Sequence, residues 1–242
     1  MVVGNGLIAQ RFKCYDTKDN VLIFASGVSN SKERRTQEFE REKKLLYRCI
    51  SGMKRSTLFI YFSTCSVDDP EENISPYVRH KLYIENEIAK KTEKYLLLRL
   101  PQLFGSTHNK NTIVNYLVDS IEKSKEFELW KNAYRNLIDI DDAFIITDYI
   151  IRNNIFSNCT VNIANRNNIS VIEMVKAIET FLNKKAIYKL CDKGSNYFID
   201  IKNIEPYLKA NHILFGKDYF HGLLMKYYFA KHFYQDVIFL RE

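Results

Sequence analysis

Apolar and polar positions along this chain fall into blocks that read as short buried strands separated by amphipathic helices. Met1-Val2-Val3 runs into Gly4-Asn5-Gly6 and then an amphipathic stretch to about Cys14, which predicts a strand turning through glycines into a helix. Asn20 to Ala25 is an apolar run ending in Ser26-Gly27-Val28-Ser29, the pattern of a fully buried parallel strand with a loop at its carboxyl end. A charged helix follows from about Lys32 to Ser51, with Phe39, Leu45, Leu46 and Cys49 or Ile50 as its buried stripe. Its Glu40, Arg41, Glu42, Lys43 and Lys44 read as a solvated face. The strand Thr57 to Phe62 then delivers Ser63-Thr64-Cys65-Ser66 to the same edge as the two preceding loops.

The next helix is entered through Ser75-Pro76, proline being well placed at a helix start, and carries Tyr77 and Lys81. Tyr95 to Leu100 is a strand ending at Pro101-Gln102-Leu103-Phe104-Gly105. Further on come a helix around Ile113 to Lys123, a strand at Asn136 to Asp139 and a helix from Asp141 to Ile151. A strand at Thr160 to Ile163, a helix around Val171 to Leu182, a short strand at Ala186 to Leu190 and helices to the end complete the pattern. Such alternation predicts an α/β fold, a parallel sheet with helices on both faces.

Composition narrows the class. In 242 residues, 46% are hydrophobic, enough for a real core. The five cysteines are odd in number and scattered, without the close pairs of a zinc site or disulfide framework, so a reducing compartment is expected. Only Met1, Val2 and Val3 precede the glycine turn, and no later run is apolar for ~18 residues, so a soluble, cytoplasmic protein without a membrane partner is expected. The net charge of +7 is spread along the chain, and the aromatics of the basic segment Lys226, Tyr227, Tyr228, Lys231, His232, Phe233 and Tyr234 fall at helical spacing suited to packing, so nucleic acid is a weak candidate.

Two patterns carry chemistry. In Gly4-Asn5-Gly6-Leu7-Ile8-Ala9, spaced G-x-G-x-x-A, the first glycine allows a tight turn, the second lets a pyrophosphate approach the backbone, and small Ala9 lets helix and strand pack closely. Tyr77 and Lys81 lie one helical turn apart and share a face. A phenol, with its reference pKa of ~10, is too weak a base at neutral pH until a neighbouring ammonium lowers that value. Lys81 can also hold a cofactor ribose hydroxyl, and a hydroxyl at Thr64 would bond the substrate oxygen at which charge changes. Asp139, Asp141 and Asp142 suggest the cap of the helix that follows more than a metal site, and no metal is expected.

With these blocks in order, the sequence resembles the extended short-chain dehydrogenase/reductase superfamily, in particular the NAD-dependent epimerase/dehydratase family that works on nucleotide sugars. The blocks are Gly4 to Ala9, Phe62 to Val67, Tyr77 to Lys81, Leu98 to Gly105, Arg135 to Asp142, and Asn162 to Asn165. The resemblance implies a Rossmann-type core over 1–104 and 135–168, and a smaller substrate-binding lobe over 105–134 and 169–242. It implies Thr64, Tyr77 and Lys81 as catalytic hydroxyl, acid/base and activator. Gly4, Asn5, Gly6, Leu7, Ile8, Ala25, Ser26, Ser63 and Pro101, with Tyr77 and Lys81, would line an NAD or NADP site. Thr64, Cys65, Ser66, Gln102 and Arg135 would meet the substrate, the arginine fork suiting its diphosphate. A salt bridge to Asp139 or Asp141 is the structural alternative for Arg135. The resemblance also suggests a homodimer.

One departure stands out. Family members usually insert two further strand-helix units before the strand at Asn20 to Ala25, so this sheet should have fewer strands than usual. The acidic residue expected about 20 residues after the glycines to hold the adenosine ribose has no counterpart, since Asp16 and Asp19 fall in a turn. The sequence leaves NAD and NADP open. The expected function is a nucleotide-sugar oxidoreductase or epimerase, a 4-keto-sugar reductase or 4-epimerase of surface-polysaccharide synthesis. The alternative is a non-catalytic domain of the same fold that binds a nucleotide sugar or a protein.

Overall fold

The computed structural model describes residues 1–107 and 112–239, the side chains of residues 230–239 lying outside the description. That stretch includes Lys231, His232, Phe233 and Tyr234 of the basic segment. The first half of the chain runs β1 (Val2–Val3), α1 (Leu7–Arg11), β2 (Val21–Phe24), α2 (Thr36–Gly52), β3 (Leu58–Thr64), α3 (Pro76–Lys91) and β4 (Tyr95–Leu100). Next come β5 (Gln102–Phe104), α4 (Ile113–Glu122), β6 (Phe127–Trp130), β7 (Tyr134–Arg135), β8 (Leu137–Asp139) and α5 (Ile140–Arg152). The remainder is β9 (Cys159–Asn162), β10 (Ile169–Ser170), α6 (Val171–Leu182), β11 (Tyr188–Cys191), α7 (Glu205–Ala210) and α8 (Tyr219–Phe239).

β1, β2, β3, β4 and β9 pair in that order into one all-parallel sheet. Strand alternation then sorts the side chains. Ile23, Ile60 and Leu98 pack with Phe12, Ile146 and Ile150 on the side of α1 and α5. Leu22, Phe59, Tyr61 and Leu97 pack with Leu46, Ile84 and Ile88 on the side of α2 and α3. Both faces are covered, so the strands read as continuous apolar runs; each fully buried aliphatic chain contributes ~1.5–3 kcal/mol.

Three two-stranded ribbons lie apart from this sheet: β5 with β8 and β6 with β11, both parallel, and β7 with β10, antiparallel. The antiparallel pair departs from the expected uniform parallel pattern, and strands of two to four residues are too short to show a period of two. The first helix is also shorter than expected. It stops at Arg11, and Lys13–Tyr15 tightens into a 3-10 turn that brings Phe12 and Tyr15 together into the core.

Phe104, Leu117, Ile121, Met174, Ile178 and Leu224 form a second core, built by β5, α4, α6 and α8. Ile199, Ile201, Ile204, Leu208 and Ile213, from the segment expected in the substrate lobe, pack against the sheet core on the α5 side. No helix among the described residues is long and apolar enough to cross a membrane.

Candidate active site

Several of the expected residues lie at the carboxyl ends of the sheet strands. At the first, Gly4 has φ +132, and an added Cβ would stand 2.5 Å from the Ala25 carbonyl oxygen, so only glycine lets the turn after β1 lie against the end of β2. Gly6 is the opposite case: nothing lies within 4 Å of where its Cβ would be. No side chain caps α1, so none of its first N–H groups is taken by a capping side chain. A pyrophosphate fits this combination. Asn5 is exposed, and its carbonyl accepts from Gln10. Leu7 is half-buried and lies close to Gly105, Ile8 packs on the sheet core, and Pro101 and Ser26 are half-buried at the same edge.

No acid faces this turn from the short connection between α1 and β2. Asp16 accepts the Val2 N–H at 2.8 Å, at the start of β1 and hence at the amino end of the sheet. Asp19 is exposed in the adjacent turn.

α3 is fixed before it presents anything. Ser75 caps it by accepting from Val78 N–H at 3.2 Å, with Pro76 in the first turn. Ile84 and Ile88 are buried against the sheet, and Glu85 takes a two-pronged bond from Arg99 of β4 at 2.8 and 3.0 Å. Tyr77 is 8% exposed and packs with Val28 from the loop after β2 and with Val67 from the turn after Thr64. Its hydroxyl has no hydrogen-bond partner among the described residues. The Lys81 ammonium lies 5.8 Å from the centre of the Tyr77 ring.

Lys81 does not project freely. It is 3% exposed and donates to the Tyr61 hydroxyl at 2.9 Å and the Phe62 carbonyl at 3.4 Å, with Glu42 Oε1 3.6 Å away. Glu42 corrects the sequence reading: it is not on a solvated face but wholly buried. Burial pushes its carboxyl up, but the Lys81 charge and the bonds donated by His80, the Val28 N–H and Tyr61 outweigh that and hold it at about 2. Burial and the same carboxylate push the Tyr61 phenol far up. The signal in the sequence was position: Glu42 stands three residues after Phe39 and four before Leu46, on the apolar stripe itself.

Thr64 is buried and accepts from Ser66 N–H at 3.1 Å, its own proton remaining free for another acceptor. The Ser63 hydroxyl, beside it, is buried and unpartnered among the described residues. Cys65 is a correction. It is fully buried in the sheet core with its thiol directed to the Arg99 carbonyl, and burial pushes that thiol strongly up, so its side chain is not presented to a substrate.

Near Ser66 stands Tyr197, a residue the sequence reading passed over because it lies in an irregular segment far along the chain. Burial, with Cys65 and Asp69 nearby, pushes the Tyr197 phenol up against the opposing pull of Arg135. Arg135, on β7, donates to the Tyr134 carbonyl at 2.7 Å and influences both Tyr197 and Glu72. Its expected alternative partners are taken. Asp139 is held by Lys226 at 2.5 Å and Tyr227 at 2.6 Å, and Asp141 by Lys226 at 2.7 Å and by Arg11. Asp139 also caps α5 by accepting from Asp141 N–H at 2.9 Å, so the acidic trio binds α8 to the start of α5. Gln102 is exposed at the start of β5.

The model of the NAD dependent epimerase/dehydratase family matches residues 8–164. Similar solved structures include a UDP-glucuronic acid 4-epimerase from Bacillus cereus in complex with UDP-glucuronic acid and NAD, 18% identical, with a TM-score of 0.66 over 88% of this chain and 75% of that one. RMD from Pseudomonas aeruginosa complexed with NADPH is 11% identical, with a TM-score of 0.68 over 92% and 93%. A dTDP-4-dehydrorhamnose reductase from Bacillus anthracis in complex with NADP is 15% identical, with a TM-score of 0.64 over 89% and 83%. At these identities the likeness is one of fold. No curated protein matches the chain.

Proposed function

Because the chain belongs to the NAD-dependent epimerase/dehydratase family, we propose that it is an NAD(P)-dependent oxidoreductase or epimerase of a nucleotide-activated sugar, acting as a 4-keto-sugar reductase or 4-epimerase in surface-polysaccharide synthesis. The observation that carries the reading is the Tyr77 hydroxyl: it has no partner within the described chain, lies on a nearly buried residue, and stands on the helix that also holds an ammonium. The ring is packed while the hydroxyl is not among the buried unpartnered groups, so its oxygen reaches the surface, where a ligand can meet it.

A bound dinucleotide would supply or take the hydride. Tyr77 gives a proton to the sugar oxygen as it becomes an alkoxide, or removes it in the reverse sense. The Lys81 ammonium, held by Tyr61 and Phe62 with Glu42 3.6 Å away, would reach a ribose hydroxyl of the bound cofactor. Thr64 donates to the same sugar oxygen and keeps it in reach of Tyr77. Gly4, Gly6 and the start of α1 would hold the pyrophosphate, and Arg135 would meet the diphosphate of the substrate.

The test is turnover of 4-keto-sugar nucleotides with NADH or NADPH, comparing wild type with Tyr77→Phe. A fall of about 10² or more with unchanged folding is expected, the scale of a lost general acid. Equal turnover in the two proteins would remove Tyr77 from the chemistry, and no turnover in either would leave the alternative, a non-catalytic nucleotide-sugar or protein-binding domain on the same fold.

A further inference from the structure

Glu42 joins four separate parts of the molecule through one carboxylate. Its Oε2 accepts from the Val28 N–H at 2.6 Å and pairs with His80 Nε2 at 2.9 Å; its Oε1 accepts from the Tyr61 hydroxyl at 2.7 Å and faces Lys81. Those partners belong to the loop after β2, to β3 and to α3, while Glu42 itself is on α2. Val28 follows Gly27, whose backbone lies so close that an added Cβ would stand 2.6 Å from Lys81 Nζ and 3.0 Å from Glu42 Oε1. Phe39 stacks on the His80 ring at 4.6 Å and closes the outer side.

A buried carboxylate with four partners is costly to assemble, since each ion must leave water. A neutral side chain on this stripe would pack the sheet at lower cost. What the carboxylate does that an apolar residue cannot is fix an ammonium in direction. The Tyr61 hydroxyl donates to Glu42 and accepts from Lys81, so it transmits that hold as a hydrogen-bonded link.

We propose that Glu42 is a positioning residue of the reaction centre: acting through Tyr61, it locks the Lys81 ammonium and the Gly27-Val28 backbone into one geometry for the nicotinamide-side ribose. This rests on the cofactor reading above. Glu42 touches neither cofactor nor substrate; it sets where Lys81 can reach.

The experiment is a double-mutant square read by cofactor affinity, using quenching or enhancement of nicotinamide fluorescence with NADH and NADPH. The four proteins are wild type, Glu42→Gln, Lys81→Met and the double variant, each checked for folding by circular dichroism. Glu42→Gln is expected to raise Kd at least about tenfold alone, the scale of a misplaced group, and less than about threefold beside Lys81→Met, where no ammonium is left to hold. Tyr61→Phe keeps both charges and cuts only the link, so a second square with it decides the matter if Glu42→Gln does not fold. It is expected to raise Kd about threefold or more alone and to add nothing beside Lys81→Met.

Equal losses in the two backgrounds, or no loss in either, would overturn the proposal and leave Glu42 a structural residue. Wild-type protein that binds neither dinucleotide would overturn the functional reading first, and the inference with it, so the two failures are distinguishable.

Discussion

Glu42 Oε1 and the Lys81 ammonium face each other across 3.6 Å with both side chains almost wholly sealed from water. Around them, α2 meets the loop after β2, the central strand and the helix of Tyr77, so the charge state of this pair bears on stability and, on the function proposed, on chemistry.

The first consequence is acid sensitivity. The Glu42 carboxyl is held below its ordinary 4.5, at about 2, so the stability it contributes is present above the ordinary value and is lost as pH falls through the folded one. Wild type should therefore lose on the order of 3 kcal/mol of unfolding free energy between pH 4.5 and 2 through this group. Glu42→Gln should start less stable and show a flatter acid limb. Urea unfolding at several pH values measures both; parallel curves would show that Glu42 is not held in this way.

The two glycines of the first turn should fail differently. Gly4→Ala forces a Cβ against the Ala25 carbonyl at positive φ, and should cost about 2 kcal/mol of stability. At Gly6 an added Cβ meets no atom within 4 Å, so Gly6→Val should leave the melting temperature nearly unchanged, while filling the ground a pyrophosphate needs. Loss of NADH and NADPH binding in a fully folded Gly6→Val protein is the expected outcome. Unchanged binding there would remove the pyrophosphate from this turn.

Arg135 tests the substrate side. Among the described residues, the one hydrogen bond its guanidinium makes is to its neighbour's carbonyl, so replacement leaves no buried carboxylate stranded. Arg135→Gln should raise KM for the nucleotide sugar about tenfold or more with little change in kcat or in cofactor Kd, because a charged bond to the diphosphate acts equally on ground and transition states. A fall confined to kcat would place Arg135 at the chemistry instead.

Much of this was legible in the sequence, for a physical reason. Buried parallel strands are apolar on both faces and short, so Val21 to Phe24, Leu58 to Thr64 and Tyr95 to Leu100 announce themselves, and their loops must then share one edge. Capping is equally local: Ser75-Pro76 and Asp139 carry their own instructions. Glu42 was not legible as a partner because its ligands arrive from residues 61 and 80 to 81, and only folding brings them together. Its place on the Phe39-Leu46 stripe was the one local sign. Cys65 was misplaced because the tight turn after Thr64 directs its side chain back into the sheet core, which residue type alone does not reveal.

The most direct measurement is isotope transfer from cofactor to sugar. Purified protein is given a 4-keto-sugar nucleotide with NADH or NADPH deuterated at the transferable position of the nicotinamide, and the product is read by mass spectrometry and NMR. Deuterium on the sugar carbon in wild type, with a rate about 10² lower in Tyr77→Phe, is the expected result. Unlabelled sugar after prolonged incubation across the substrate panel, or labelling as fast in Tyr77→Phe as in wild type, would contradict a hydride-transfer centre built on Tyr77.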